Sequence, residues 1–169
     1  MALASLPPSE NVMKNKPRDR NAFILNKPMY CNILGVGMAF FLMLLGLVLT
    51  FEYTDVTSMR DFLSLSFGEA NGISPYEQTL IFSIFVWTHF WYMFNARCFE
   101  TGSSIFQSKL STGFLTIVAV IAIGQIVIVE VLYEFFNVVP MKLEDWIIIV
   151  AGSSVVLWIR EIWSLLKKI

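Results

Sequence analysis

Charge is scarce in this sequence of 169 residues. Asp, Glu, Lys and Arg make up only 15% of it, against about a quarter in an ordinary soluble domain. Hydrophobic residues reach 56% and the mean hydropathy is +0.66, so much of the surface must face something other than water. A net charge of −1 removes the basic excess that nucleic-acid binding requires, and no nucleic-acid partner is expected. Two cysteines are too few for a disulfide framework, and a lone histidine is too few for a metal centre. Catalytic signatures are missing as well. There is no Gly-rich phosphate loop, no G-x-S-x-G elbow and no H-E-x-x-H pair, so no catalytic, cofactor-binding or metal residue is assigned. The opening twenty residues run from small residues through Pro7-Pro8 into a basic stretch, the reverse of a signal peptide.

Long uncharged runs are abundant instead, and a helix needs about 20 mostly apolar residues to cross a hydrocarbon layer about 30 Å thick. Residues 29–51 give 23 such positions, 78–96 give 19 and 110–129 give 20. The fourth run is interrupted. Residues 146–159 are 14 uncharged positions before Arg160 and Glu161, and apolar character then resumes through Leu166. With Arg160 reaching the interface, 146–166 completes a span. The expected fold class is therefore an all-α membrane protein with four transmembrane helices, partnered first by the lipid bilayer. Continuous rather than alternating apolar character excludes a membrane β-barrel.

Orientation follows from the basic residues. Ten of the 12 fall in segment 1–28, loop 97–109 and the tail, while loops 52–77 and 130–145 hold only Arg60 and Lys142. Both termini and loop 97–109 are thus expected in the cytoplasm. Nine of the 13 acids lie in or beside the two outer loops, where plain solvation is the preferred reading over cation attraction. Cys31 and Cys98 fall at the cytoplasmic side and are expected to be reduced. Within loop 52–77, Met59, Phe62, Leu63, Leu65 and Phe67 suggest a short interfacial helix ahead of Gly68, Asn71, Gly72 and Pro75.

Polar residues inside the spans must find partners there. His89 lies in the second run among Trp87, Phe90, Trp91 and Tyr92. With no second ligand at helical spacing, an interhelical hydrogen bond is preferred over a proton relay or metal site. Gln125 beside Gly124 reads as an amide bonding across a close helix contact. Asn95 closes the second span and, with His89 and Gln125, is a candidate interhelical polar contact, while Arg97 and Arg160 read as interface anchors.

Taken together, several stretches resemble the C-terminal membrane part of P-type cation-transporting ATPases, spans seven to ten, most closely plasma-membrane-like calcium pumps. Ala2-Leu3-Ala4 with Pro7-Pro8 resembles the end of a sixth span, and Met13-Lys14-x-Lys16-Pro17-Arg18-x-Arg20 the connector after it. Phe94-Asn95-Ala96-Arg97 is similar to the exit of the eighth span. Gln125-Ile126-Val127-Ile128-Val129-Glu130 resembles the ninth, and Pro140 with Trp146 the entry to the tenth. The resemblance implies a plasma-membrane location, cation and specifically calcium transport, and partnership with the remaining helices of such a pump. It also implies that ATP, Mg2+ and Ca2+ are handled by parts not found in this sequence, which on this reading begins just after the sixth span and is no enzyme on its own. His89 falls where sarcoplasmic-reticulum-type pumps have an eighth-span carboxylate, so the resemblance implies no second calcium site. A separately expressed subunit acting in trans, or an independent four-helix channel or carrier using His89, are the other two readings.

Overall fold

The computed structural model describes residues 27–54, 56–64, 72–98 and 111–166. Segment 1–26, with its Pro pair and basic connector, and the loop 99–110 lie outside the described residues. Everything described is helix or connecting loop, with no strand among the described residues. Seven helices follow in order: α1 (Lys27–Glu52), α2 (Met59–Ser64), α3 (Pro75–Arg97), α4 (Thr112–Glu130), α5 (Tyr133–Phe136), α6 (Leu143–Ser153) and α7 (Val155–Leu166).

Helix starts are set by local chemistry. The Ser74-Pro75-Tyr76-Glu77 sequence forms a capping box at α3. Ser74 Oγ accepts from Glu77 N at 3.3 Å, Glu77 Oε2 accepts from Ser74 N at 2.7 Å, and Pro75 occupies a first-turn position that has no need of its missing N–H. This carries α3 three residues earlier than the uncharged run alone suggests. Ser111 does the same for α4, accepting from Phe114 N at 3.2 Å and starting the helix at Thr112 rather than at 110.

The fourth apolar run is not one helix, contrary to expectation. It breaks at Ser154 (φ −62°, ψ −17°) into α6 and α7. Gly152-Ser153-Ser154 explains the break: glycine weakens the helix and serine hydroxyls compete for its carbonyls. Ser153 Oγ donates to Ile149 O at 2.7 Å and Ser154 Oγ to Ala151 O at 2.6 Å. Among the described residues two helices, α1 from Met29 and α4, are long and apolar enough to cross a membrane. α3 has the length but carries Trp, Tyr, His, Asn, Gln and hydroxyl residues, because it is the central post. α1, α4, α6 and α7 all pack on it.

The core gathers Phe51 of α1, Val56, Met59 of α2, Leu80, Trp87 and Phe90 of α3, Val129 of α4, Met141 of the loop before α6, and Ile149 of α6. Elsewhere α1 is outward-facing: Ile33, Leu34, Met38, Phe41, Leu42, Leu45 and Leu49 are exposed, an apolar face suited to lipid or to further helices and unsuited to water.

Candidate functional site

Polar groups of α3 make the contacts that give this bundle its specific geometry. Trp91 and Asn95 are four residues apart and share a face. Trp91 Nε1 donates to Val150 O at 3.1 Å and Asn95 Nδ2 to Val156 O at 2.8 Å, so the two side chains clasp backbone carbonyls on either side of the α6–α7 break. Val150 O also accepts from Ser154 N at 3.3 Å and Ser153 Oγ at 3.1 Å, so Trp91 adds a cross-helix bond to a carbonyl that its own helix already engages. On the neighbouring face, Gln125 of α4 donates to Ser83 Oγ of α3 at 3.4 Å, a long bond between two buried groups.

His89 points the other way. Its Nδ1 donates to Phe85 O within α3 at 2.8 Å, since a carbonyl can only accept. Its ring packs on Phe85 and on Phe40 of α1, with centroids 4.2 and 4.5 Å apart. The expected interhelical hydrogen bond is thus replaced by a ring contact, because α1 presents an aromatic there and the nearest acceptor is one turn back. Arg97 is not an open anchor either. It is buried, with its guanidinium 5.2 Å from the centroid of Phe114, a cation–π position. The Arg160 side chain lies outside the described residues.

At the other end of α3, three carboxylates are built into the packing. Glu77, 1% exposed, closes the capping box with one oxygen and accepts from Val56 N at 2.9 Å with the other. Asp145 of α6, also 1% exposed, accepts from Met59 N at 2.9 Å and from the Tyr76 hydroxyl. It thereby caps the first turn of α2 from another helix and ties that helix to α3. Glu130 Oε1 accepts from Trp146 Nε1 at 2.8 Å and Met141 N at 3.3 Å. Thr79 Oγ1 adds a fourth tie, accepting from Val139 N at 2.8 Å. Solvation was the preferred reading for these acids, and for Glu77 and Asp145 burial overturns it. One signal was readable: Ser-x-x-Glu at 74–77 is a capping-box pattern. Asp145 offered none, because its donors lie 69 and 86 residues away.

By contrast Asp61 of α2 is fully exposed, and hydroxyl donors from Thr57 (2.7 Å) and Ser58 (3.1 Å) hold its pKa below the ordinary aspartate value. The Arg60–Glu144 pair at 3.2 Å joins α2 to α6 at a highly exposed position and contributes little.

A cavity of about 880 Å³ lies between α3, α4 and the α6–α7 break, walled by Trp87, Trp91, Trp146 and Trp158. Its charged lining residue is Glu130, whose Oε1 is already engaged. Trp87 Nε1 is buried without a hydrogen-bond partner, the one orphan indole among the described residues. No group of three His, Cys, Asp or Glu that could hold a metal occurs among the described residues. Chemically, the polar groups of the site join helices to one another.

Helices that clasp one another through a polar central post, with apolar outer faces, define a membrane-embedded helical domain. The chain belongs to the family described as cation transporting ATPase, C-terminus, which matches residues 1–166; it corresponds to the C-terminal region of a P-type ATPase. Its relatives are plasma-membrane calcium-transporting ATPases. Plasma membrane calcium-transporting ATPase 1 of Oryctolagus cuniculus is 28% identical over 161 residues, covering 94% of this chain and 13% of the relative. Calcium-transporting ATPase 4, plasma membrane-type, of Arabidopsis thaliana is 30% identical over 155 residues, covering 90% and 14%. A probable calcium-transporting ATPase 6, plasma membrane-type, of Oryza sativa subsp. japonica is 30% identical over 158 residues, covering 92% and 14%. The chain therefore spans about a seventh of the length of these relatives.

Proposed function

We propose that this chain is the C-terminal membrane scaffold of a calcium-type cation pump of the cell membrane, contributing four spans with both termini cytoplasmic. α1, α3, α4 and the α6–α7 pair are the four spans on this reading. α2, α5 and the three carboxylate ties lie on the outer side. Phosphorylation, nucleotide binding and the main cation site belong to parts beyond these 169 residues, and this chain contributes position rather than chemistry. ATP, Mg2+ and Ca2+ act elsewhere in the pump.

One observation carries the reading: the polar side chains Ser83, Trp91, Asn95 and Gln125 engage partners on neighbouring helices and line no polar conduit. A channel or carrier needs polar groups facing a water-filled path, whereas a scaffold needs them locked between helices. The exposed face of α1 supports the same view. It carries Gly35, Gly37 and Gly46, where an added Cβ would meet nothing within 4 Å, so further helices can approach it closely.

The test is a chimera in which this chain replaces the last four spans of a plasma-membrane-type calcium pump, scored by ATP-driven calcium uptake in vesicles. Uptake well above that of the pump truncated after its sixth span is the expected result. A chimera that reaches the membrane at normal level and forms phosphoenzyme, yet gains nothing over the truncated pump, refutes the scaffold role.

A further inference from the structure

α4 ends at Glu130 and the chain does not move off into solvent. Its next six residues, Val131 to Phe136, are all exposed, and five of them are Val, Leu, Tyr and Phe. Phe135 is 84% exposed and Val131 66%, and the rings of Phe135 and Phe136 stack edge to face at 5.2 Å. Together these residues make an exposed apolar and aromatic patch. Its only charge between 131 and 141 is Glu134.

This patch is held in place rather than loose. Asn137 takes a left-handed conformation (φ 52°) that reverses the chain, and Val138 N donates back to Tyr133 O at 3.0 Å. Val139 N is tied to Thr79, and Met141 N and Trp146 Nε1 to Glu130. The returning segment is pinned to α3 and α4, so the aromatics face outward by construction.

We propose that α5 and its flanking residues form an interfacial foot, seated in the headgroup–acyl boundary of the bilayer at the C-terminal end of α4. The argument is one of depth and continuity, and it rests on the reading that α4 crosses the membrane. Nineteen helical residues span about 28 Å at about 1.5 Å each, close to the roughly 30 Å hydrocarbon layer, so residue 131 emerges at its edge. The outward residues of α4, Val120, Ile123, Ile126 and Val127, run directly into Val131 and Leu132. A lipid-facing stripe thus turns a corner into an exposed aromatic cluster at the depth where Tyr and other aromatic residues prefer to lie. Residues 131–136 hold no Lys or Arg, so the seating of α5 depends on apolar and aromatic contact rather than on anionic headgroups.

The test uses the full chain in phosphatidylcholine vesicles, with exposed Cys31 changed to Ser and buried Cys98 retained. An environment-sensitive NBD label is placed at Phe135→Cys, at Arg60→Cys as the aqueous reference, and at Val120→Cys as the deep reference. Quenching is read with lipids carrying doxyl at carbon 5 or carbon 12 and with iodide on both sides. The residue-135 label is expected to prefer 5-doxyl, matching an interfacial depth of about 5–10 Å, and to be at least about twofold less iodide-sensitive than the residue-60 label. Unchanged quenching when part of the phosphatidylcholine is replaced by phosphatidylserine also supports the foot. If residue 120 is quenched by 12-doxyl while residue 135 is as open to iodide as residue 60, the foot is overturned and the span stands. If residue 135 is shielded from both lipid doxyl and iodide, protein covers the patch and the proposal is overturned. If residue 120 is open to iodide, the spanning reading fails and the foot with it.

Discussion

Asp145 is the residue whose removal tests the packing logic most sharply. Its carboxylate is 1% exposed and accepts two hydrogen bonds, one from Met59 N at the first turn of α2 and one from the Tyr76 hydroxyl on α3. Asp145→Leu strands both donors. A hydrogen bond to a charged group contributes about 1.5–3 kcal/mol, and a buried donor left unsatisfied costs about 1–3 kcal/mol. Two such losses, reduced because a carboxylate no longer has to be buried, give a destabilisation of about 3–5 kcal/mol. Asp145→Asn keeps one carbonyl acceptor for Met59 N, and its amide can donate to a rotated Tyr76 hydroxyl, so about 1–2 kcal/mol is expected. The measurement is equilibrium unfolding in mixed micelles, with Tyr76→Phe completing a double-mutant cycle. Coupling of about 1–3 kcal/mol between positions 76 and 145 is expected for groups in direct contact. Amide exchange at Met59 should accelerate in both Asp145 variants and stay unchanged in Glu144→Gln, whose ion pair is exposed. A cost below about 1 kcal/mol for Asp145→Leu, or strict additivity with Tyr76→Phe, would falsify the view that this acid ties α2, α3 and α6 together.

Asn95→Leu removes the donor to Val156 O and should cost about 1–2 kcal/mol, read by the same unfolding assay; a neutral effect means the α6–α7 break needs no support from α3. His89→Phe keeps the ring packing with Phe40 and Phe85 and gives up only a bond within its own helix. It should change stability by less than about 1 kcal/mol and leave uptake by the pump chimera intact, whereas abolished uptake with normal folding assigns His89 a transport role. The Asp61 carboxyl, followed by its side-chain carbon shift, should titrate below the ordinary value of about 3.9. Because its pKa is depressed on folding, the hydroxyl contacts stabilise α2 above that value and are lost as pH falls through the lower folded pKa. Thr57→Val combined with Ser58→Ala should return the midpoint toward that ordinary value, and an unmoved midpoint rules out the hydroxyls as the cause.

Helicity and the positions of the apolar runs were readable because lipid-facing segments declare themselves through uninterrupted hydrophobicity. The uncharged run puts the α3 start at 78, although Ser74 and Glu77 carry the capping-box signal for an earlier one. The fourth run misled, because hydrophobicity says nothing of continuity, although Gly152-Ser153-Ser154 carried the signal for a break. The polar residues were recognisable as a set: Asn95 and Gln125 stand out in apolar surroundings, but their acceptors, a valine carbonyl 61 residues on and a serine 42 residues back, follow from folding alone. Asp145 was hardest, because its donors lie 69 and 86 residues away. An acid near the end of a span looks the same whether it meets water or a distant backbone amide, and only the tertiary arrangement distinguishes them.

The polar make-up of α3 bears on how the bundle is assembled. A translocon admits a segment into lipid according to its own hydrophobicity, and α3 is less apolar than α1 before it or α4 after it. On the four-span reading, the helix that every neighbour depends on is the one least able to enter the bilayer unaided. It comes after α1 and before α4, α6 and α7 in the chain, so Asn95, Trp91 and Ser83 still await their partners when α3 emerges. Biogenesis is then a matter of holding α3 beside α1 until the later helices arrive. Substitutions on α3 that leave the finished structure unharmed can still lower the yield of inserted chain.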